Sequence, residues 1–269
     1  MSAVAPWIIL RPAGGTAYAP LGKSRGTGNA RNTTLMIHSR LTIVTATVAA
    51  VIACAAPCLA QRPEPVRIGG IVIDATEVTI GQFRAFAHAT SFRTAAEREG
   101  GGFEYTGGWT RRQGWTYERP QGQPGQDSEP AVHVTWAEAD AFCRHVRGRL
   151  PTLAEWRSAA YTEQRDRPTD GYVRGQTYPY PVGDAPEGMN NNRRAHVAVA
   201  TTRRGVNGLY DMGANVWEWM ADRRGDEALT AGGSWWYGPA QTRADGAQWK
   251  AASFYAVYIG FRCAYDAKS

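Results

Sequence analysis

One apolar run divides this chain more sharply than any other feature. Leu41–Ala60 reads LTIVTATVAAVIACAAPCLA and is the only stretch with the length and apolarity of a membrane-inserting segment. Met36, His38 and Arg40 lie just before it, and small residues end it at Cys58-Leu59-Ala60, ahead of Gln61. A short charged start, an apolar stretch and a small-residue exit describe a secretory signal peptide over 36–60, cleaved after Ala60. Residues 1–35 are then an upstream extension outside the fold, with Met36 as the initiator. Two other readings stay open. One is an uncleaved membrane anchor. The other is a lipoprotein, in which Val51-Ile52-Ala53-Cys54 acts as a lipobox and Cys54 carries lipid. The expected location is periplasmic or secreted, with the lipoprotein as the alternative. Beyond a lipid anchor at Cys54, no membrane contact is expected.

The same division sorts the charge. The whole chain of 269 residues carries a formal net charge of +6, which suggests a nucleic-acid partner at first sight. Residues 1–60, however, hold Arg11, Lys23, Arg25, Arg31 and Arg40 and no acid. The remainder, 61–269, is therefore nearly neutral. It shows no Lys/Arg stripe and no RNA-reading motif, so a nucleic-acid partner is excluded. Lys is nearly absent from this body, and Arg supplies its positive charge. A content of 43% hydrophobic and 11% aromatic residues also excludes a disordered chain. Thirty Gly and 15 Pro favour a loop-rich fold over a helical bundle.

Cleavage after Ala60 leaves Cys143 and Cys263 as the only cysteines. Two cysteines in an oxidising compartment are a natural pair. Joined, they close a loop of about 120 residues, which contributes roughly 4–5 kcal/mol in the chain-entropy view. The alternative is two buried free thiols.

The body begins with a Pro-rich lead-in over 61–66, followed by Arg67–Ile73, which reads as a strand. Thr79 with Gln82 forms a capping box ahead of the apolar face Ile80, Phe83, Phe86 and Ala87. Thr135 with Glu138 opens a second helix, carrying Trp136, Ala139, Phe142, Cys143 and Val146. Thr152 with Glu155 opens a third, carrying Trp156, Ala159 and Ala160. Gly148 and Pro151 punctuate the tight connection between the last two. Residues 97–129 read as a long loop with a short hairpin around Trp109 and Trp115. Residues 165–208 have little periodicity. The C-terminal third alternates Trp and Gly clusters with short apolar pieces, as short strands and turns do. No linker interrupts 66–266, so one domain over 67–266 is expected.

Six phrases occur in a fixed order. Glu77-Val78-Thr79 precedes Phe83 and Phe86. Pro130-Ala131-Val132-His133-Val134-Thr135-Trp136 leads to Ala141-Phe142-Cys143. Arg149-Leu150-Pro151-Thr152 leads to Glu155-Trp156. Gly208-Leu209-Tyr210-Asp211-Met212 leads to Asn215-Val216-Trp217-Glu218-Trp219. Gly232-Gly233-Ser234-Trp235 and Gly260-Phe261-Arg262-Cys263 close the series. Together they resemble the formylglycine-generating enzyme, or sulfatase-modifying factor, family. The resemblance implies an α+β domain with little regular secondary structure, related to C-type lectins. It also implies a disulfide between the positions matching Cys143 and Cys263.

In formylglycine-generating enzymes the Gly-Gly-Ser phrase is followed by two cysteines that bind copper and activate oxygen. Soft thiolates suit Cu(I). Counting from Gly232-Gly233-Ser234, Tyr237 and Thr242 stand at those positions, and neither is a Cu(I) ligand. Thiol-dependent formylglycine formation is therefore not expected, and copper is not expected as a cofactor. Other branches of the family mature the siderophore pyoverdine, or carry non-haem iron on an additional helical domain that is absent here. The histidines His38, His88, His133, His145 and His196 show no metal-binding spacing, so iron is not expected either. His133, set between Val132 and Val134, reads as a hydrogen-bonded structural residue, and His88 and His145 as solvent-facing.

A hard-cation site is the better match. Asp211, Ala214, Val216 and Glu218 correspond to a family calcium site of two side chains and two backbone carbonyls, which suits Ca²⁺. Ala214 replaces the usual Gly there. The alternative is that Asp211 and Glu218 cap turns and pair with Arg. A second family calcium site could draw its Asn from Asn190, Asn191 or Asn192, but 193–206 holds no acid to complete it.

For a ligand pocket, Trp217, Ser234 and Tyr237 are the candidates, because the family places the Gly-Gly-Ser loop at its active-site cleft. No carboxylate or base can be matched to them from sequence, and the catalytic residues are unassigned. Two functions follow. The first is an exported non-thiol enzyme acting on a periplasmic small molecule or peptide, with oxidation one candidate chemistry, as in the pyoverdine branch. The second is a non-catalytic module holding a ligand or protein on the lectin-like scaffold.

Overall fold

Gly69-Gly70 turns the first apolar run back on itself. In the computed structural model, which describes residues 64–267, β1 (Val66–Ile68) and β2 (Ile71–Ile73) form an antiparallel hairpin, with Val66 opposite Ile73. The single strand expected over Arg67–Ile73 is thus two short ones. Gly69 sits at φ 56°, a left-handed conformation that interrupts a strand and that glycine adopts without strain. Residues 1–35, the expected signal peptide with Cys54, and Gln61 lie outside the described residues. All described residues fall within one compact unit. Among them no helix is long and apolar enough to cross a membrane.

The capping boxes act as local start signals. α1 (Ile80–Thr90) begins at Thr79, whose side chain accepts from the Gln82 amide while the Gln82 side chain accepts from the Thr79 amide. Ile80, Phe83, Phe86 and Ala87 form its buried face. α2 (Ala95–Arg98), α3 (Trp136–His145) and α4 (Leu153–Tyr161) start with the same device at Thr94, Thr135 and Thr152. α2 lies at the start of what reads as a loop in the sequence. It is followed by the hairpin of β3 (Gly101–Tyr105) and β4 (Trp109–Gln113), so Trp115 falls beyond the hairpin.

The C-terminal third builds a four-stranded sheet of order β7-β6-β5-β8. β5 (Trp217–Arg224) pairs antiparallel with β6 (Glu227–Ala231), and β6 with β7 (Gln248–Ala251). The short β8 (Ile259–Gly260) runs parallel to β5. β9 (Ala264–Asp266) crosses to the first sheet and pairs with β2. Cys263, between β8 and β9, is disulfide-bonded to Cys143 on α3, with Cα atoms 5.5 Å apart.

β5 separates two cores. Trp217 and Trp219 enter one, with Phe83, Phe142 and Phe261; the Phe83 and Phe142 rings stack at 5.7 Å. Met220 enters the other, with Trp156 and Leu209. Each fully buried large side chain stabilises the fold by roughly 1.5–3 kcal/mol. Successive residues of a strand face opposite ways, so Trp217 and Glu218 deliver an aromatic ring to one side and a carboxylate to the other.

Candidate functional site

The carboxylate side is a buried ion-pair knot. Glu218 Oε1 accepts from Arg262 Nη2 at 2.7 Å, and Oε2 accepts from Arg262 Nε and from Trp156 Nε1, both at 2.8 Å. Arg262 also donates to the carbonyls of Asp74 and Tyr210. Both charged side chains are fully buried. Asp211 is held by the Ala200 amide at 2.9 Å and the Thr202 hydroxyl at 2.5 Å. Asn215 donates to Glu77 Oε1 at 3.0 Å, while Glu77 Oε2 has no partner. Burial, then the nearby Asp211 charge, pushes the Glu77 carboxyl well above its usual range, and burial also raises Asp211.

The segment carrying these groups is bent tightly. Asp211, Ala214 and Asn215 have φ of 57°, 65° and 47°. Asp and Asn tolerate the left-handed region; Ala does so at a cost of order 1–2 kcal/mol. The strain falls at the position where the family usually has Gly.

The donor types and the excess of buried carboxylates suit a hard cation. The carboxylates are held by protein donors. Both oxygens of Glu218 serve the Arg262 fork, and both oxygens of Asp211 serve protein donors. Among the described residues no three His, Cys, Asp or Glu side chains converge on one point. Asn190 donates its side-chain amide to the Ala195 carbonyl and to Asn215 Oδ1.

On the other face of the sheet lies a cavity of about 410 Å³, walled by Trp109 of β4, Gln248 and Lys250 of β7, Phe254, Tyr258 and Tyr237. Gln248 and Lys250 share a face of β7 because side chains alternate, and Trp249 turns the other way, beneath the Arg224 guanidinium. Lys250 Nζ stands 4.5 Å from the centroid of the Trp217 ring and donates to Gln248 Oε1 at 3.0 Å. No carboxylate among the described residues pairs with it. Burial lowers the ammonium from 10.5 to about 8. Tyr237 packs edge-on against Trp217 at 5.5 Å and against Tyr258 at 5.8 Å.

Trp217 and Tyr237 therefore come together at the cavity, Trp217 beneath Lys250 and Tyr237 in the wall. Ser234 does not line it: it is fully buried, with its hydroxyl oxygen 3.4 Å from the Trp236 amide. Gly232 and Gly233, at φ 93° and 73°, make the turn that brings Tyr237 back to the wall. Thr242 is buried in a separate turn and donates to the Pro239 carbonyl at 2.7 Å. Lys250 is missing from the sequence-derived candidates. Its signal was its rarity, since 61–269 otherwise has lysine only at 268.

His133 is fully buried at φ 58°, with Nε2 2.9 Å from the Pro120 carbonyl oxygen. Burial lowers its imidazole to about 4, which keeps it neutral. His88 and His145 are exposed.

Residues 45–267 match the Sulfatase-modifying factor enzyme 1-like domain. The chain belongs to this family. A formylglycine-generating enzyme of Streptomyces coelicolor is 30% identical over 194 residues, covering 58% of this chain and 59% of that protein. An inactive Cα-formylglycine-generating enzyme 2 of Bos taurus is 28% identical over 214 residues, covering 63% and 67%. The matched region thus spans about three fifths of the Streptomyces relative. PvdO from Pseudomonas aeruginosa shares the fold with a TM-score of 0.54 at 20% identity, over 73% of this chain and 80% of that one. Sulfatase-modifying factor membership and the α+β fold agree with the reading of the six sequence phrases.

Proposed function

We propose that this is an exported sulfatase-modifying factor protein that acts without a copper–cysteine centre and takes a small molecule or peptide into the aromatic cavity. The observation that carries the reading is Tyr237. It stands where the family's first redox cysteine would be, and it forms part of the cavity wall. A phenol is a hard oxygen donor and gives Cu(I) no soft ligand. Thr242, at the second position, is buried on a backbone carbonyl. Neither copper nor iron is part of the proposal. The test is incubation with a Cys-x-Pro-x-Arg peptide, copper and oxygen. No aldehyde should form; aldehyde at the rate of a thiol-bearing family enzyme would sink the reading.

A non-catalytic binding role is the second reading, favoured by the cavity's composition. Its titratable groups are Lys250, Tyr237 and Tyr258, with no nucleophile–base pair among the lining residues. Turnover of a bound ligand would decide for the enzyme. Calcium stays a proposal for Asp211, Glu218 and the carbonyls of Ala214 and Val216, with Glu218 having to leave Arg262. Calorimetric titration of chelator-treated protein with Ca²⁺ tests it, and an absence of heat would exclude it. Export is tested by N-terminal sequencing: Gln61 supports cleavage after Ala60, and a lipidated Cys54 replaces it with the lipoprotein.

A further inference from the structure

Lys250 is the one lysine among the described residues, and it faces a cavity that contains no acid. Three other cations in contact with the core are paired, Arg262 with Glu218, Arg165 with Glu163, and Arg149 with Glu155 and Asp266, whereas Arg157 has a buried Nε without a partner. Pairing is the general pattern, because removing a charge from water without a partner is unfavourable. The Lys250 ammonium has an amide oxygen and a ring face instead. The walls around it offer flat apolar surface. Trp109 is 46% exposed and meets Phe254 edge-on at 4.6 Å.

We propose that the cavity binds an aromatic carboxylic acid, with its ring against Trp109, Phe254 and Tyr258 and its carboxylate on the Lys250 ammonium. This deepens the reading of the cavity as the ligand site and rests on it. An exposed indole beside a second ring supplies edge and face contacts to a flat ligand. A compact ammonium suits a single carboxylate at the end of such a slot, and its three donors let it hold Gln248 and a ligand together. The phenols of Tyr237 and Tyr258 and the Gln248 amide are the other polar groups of the wall. A cationic ligand would meet Lys250 as a like charge.

The binding depends on pH through Lys250. Burial has already brought its ammonium down to about 8, so a carboxylate ligand must hold the proton that the site tends to lose. The other titratable groups facing it are the two phenols, and burial together with Tyr237 pushes Tyr258 upward. The charges on neighbouring elements pair among themselves: Glu104 with Arg112, Glu99 with Arg111, and Glu227 with Arg224.

The probes are 2-naphthoate and its neutral isostere 2-naphthamide, titrated calorimetrically into the purified protein. Near neutral pH the acid should bind about tenfold or more tightly than the amide, as a charge-assisted hydrogen bond implies. At about pH 9.5 the preference should largely disappear as the ammonium deprotonates. Lys250→Gln should bind both probes at the amide's affinity. Lys250→Arg should keep the preference and lose its pH dependence, because guanidinium stays charged. Near-ultraviolet circular dichroism checks that both variants are folded. Equal binding of the two probes by the unaltered protein overturns the acid and leaves the cavity a neutral aromatic site. Binding of neither overturns both the acid and the cavity reading. A preference that survives Lys250→Gln places the carboxylate elsewhere and overturns the proposal.

Discussion

On one side of β5, Glu218 meets the Arg262 guanidinium and the Trp156 indole, and each side-chain nitrogen and oxygen atom of the pair has a protein partner. On the other side, Trp217 lies under an ammonium whose only polar partner among the described residues is the Gln248 amide. A fully buried cation and a partly buried one thus have opposite surroundings. Arg262 is closed into the architecture, and its partners Asp74, Tyr210 and Glu218 each lie 44 or more residues from it in the chain. Lys250 is left with spare donors beside open space. A satisfied buried pair holds a fold in register, whereas an unsatisfied one is available to a ligand.

The sharpest way to break this contrast is to replace each cation by Met, which keeps the stem and removes the charge. Arg262→Met strands Glu218 in the interior and should lower unfolding free energy by about 3–5 kcal/mol. Urea unfolding at neutral pH measures it, and a loss below 1 kcal/mol would show that the knot is not a structural pair. The disulfide should come next. Cys263 follows Arg262 directly and donates its amide to Asp74 Oδ2. Replacing both Cys143 and Cys263 by Ala should remove about 2–5 kcal/mol, with an unchanged midpoint counting against a role for the bridge.

Lys250→Met should have the opposite sign. The ammonium sits near 8 in the folded protein and near 10.5 when free, so between those values the unfolded chain binds more protons. The folded protein therefore gains stability from Lys250 as pH rises through this window, and carries the full penalty below it. Removing the charge should stabilise the protein by about 1–3 kcal/mol at neutral pH, an advantage that fades by about pH 10.5. Unfolding series for both proteins at several pH values give the comparison. A variant less stable than the original at neutral pH would show that the ammonium is well accommodated.

The two sides of β5 also differ in how far sequence reveals them. Helix starts were legible because a capping box is local: Thr79 and Gln82 carry the whole signal within four residues. Arg67–Ile73 misread as one strand because its apolar residues outweigh Gly69-Gly70 in composition, although the left-handed Gly69 decides the geometry. Glu218 reads as a metal ligand from its phrase, while its partner Arg262 lies 44 residues on, and that fork is fixed only by packing. Trp217 and Tyr237 were found through the Gly-Gly-Ser phrase. Ser234 belongs to the same phrase but turns inward. Lys250 lies in no phrase at all, and what distinguishes it is burial without a counter-charge, which no window of sequence contains.

The smallest expected effect falls on Trp109, at the rim of the cavity, and it separates stability from binding. Its ring contacts Tyr105 at 5.4 Å, Phe254 at 4.6 Å and Tyr258 at 5.8 Å, yet nearly half of the residue is exposed. β4 is held by its own ladder to β3, from Gly101 opposite Gln113 to Tyr105 opposite Trp109, so the hairpin does not depend on this one ring. Trp109→Ala should therefore lower stability by only about 1 kcal/mol, the scale of one or two aromatic contacts at a wet edge. The same change removes one face of the slot in which an aromatic ligand would lie, and should weaken 2-naphthoate and 2-naphthamide alike, by about tenfold. Equal weakening of the two probes is the informative part. It assigns Trp109 to the ring and leaves Lys250 with the carboxylate. A loss confined to the acid would mean that Trp109 acts through the ammonium, and a large fall in stability with unchanged binding would make the rim a structural element.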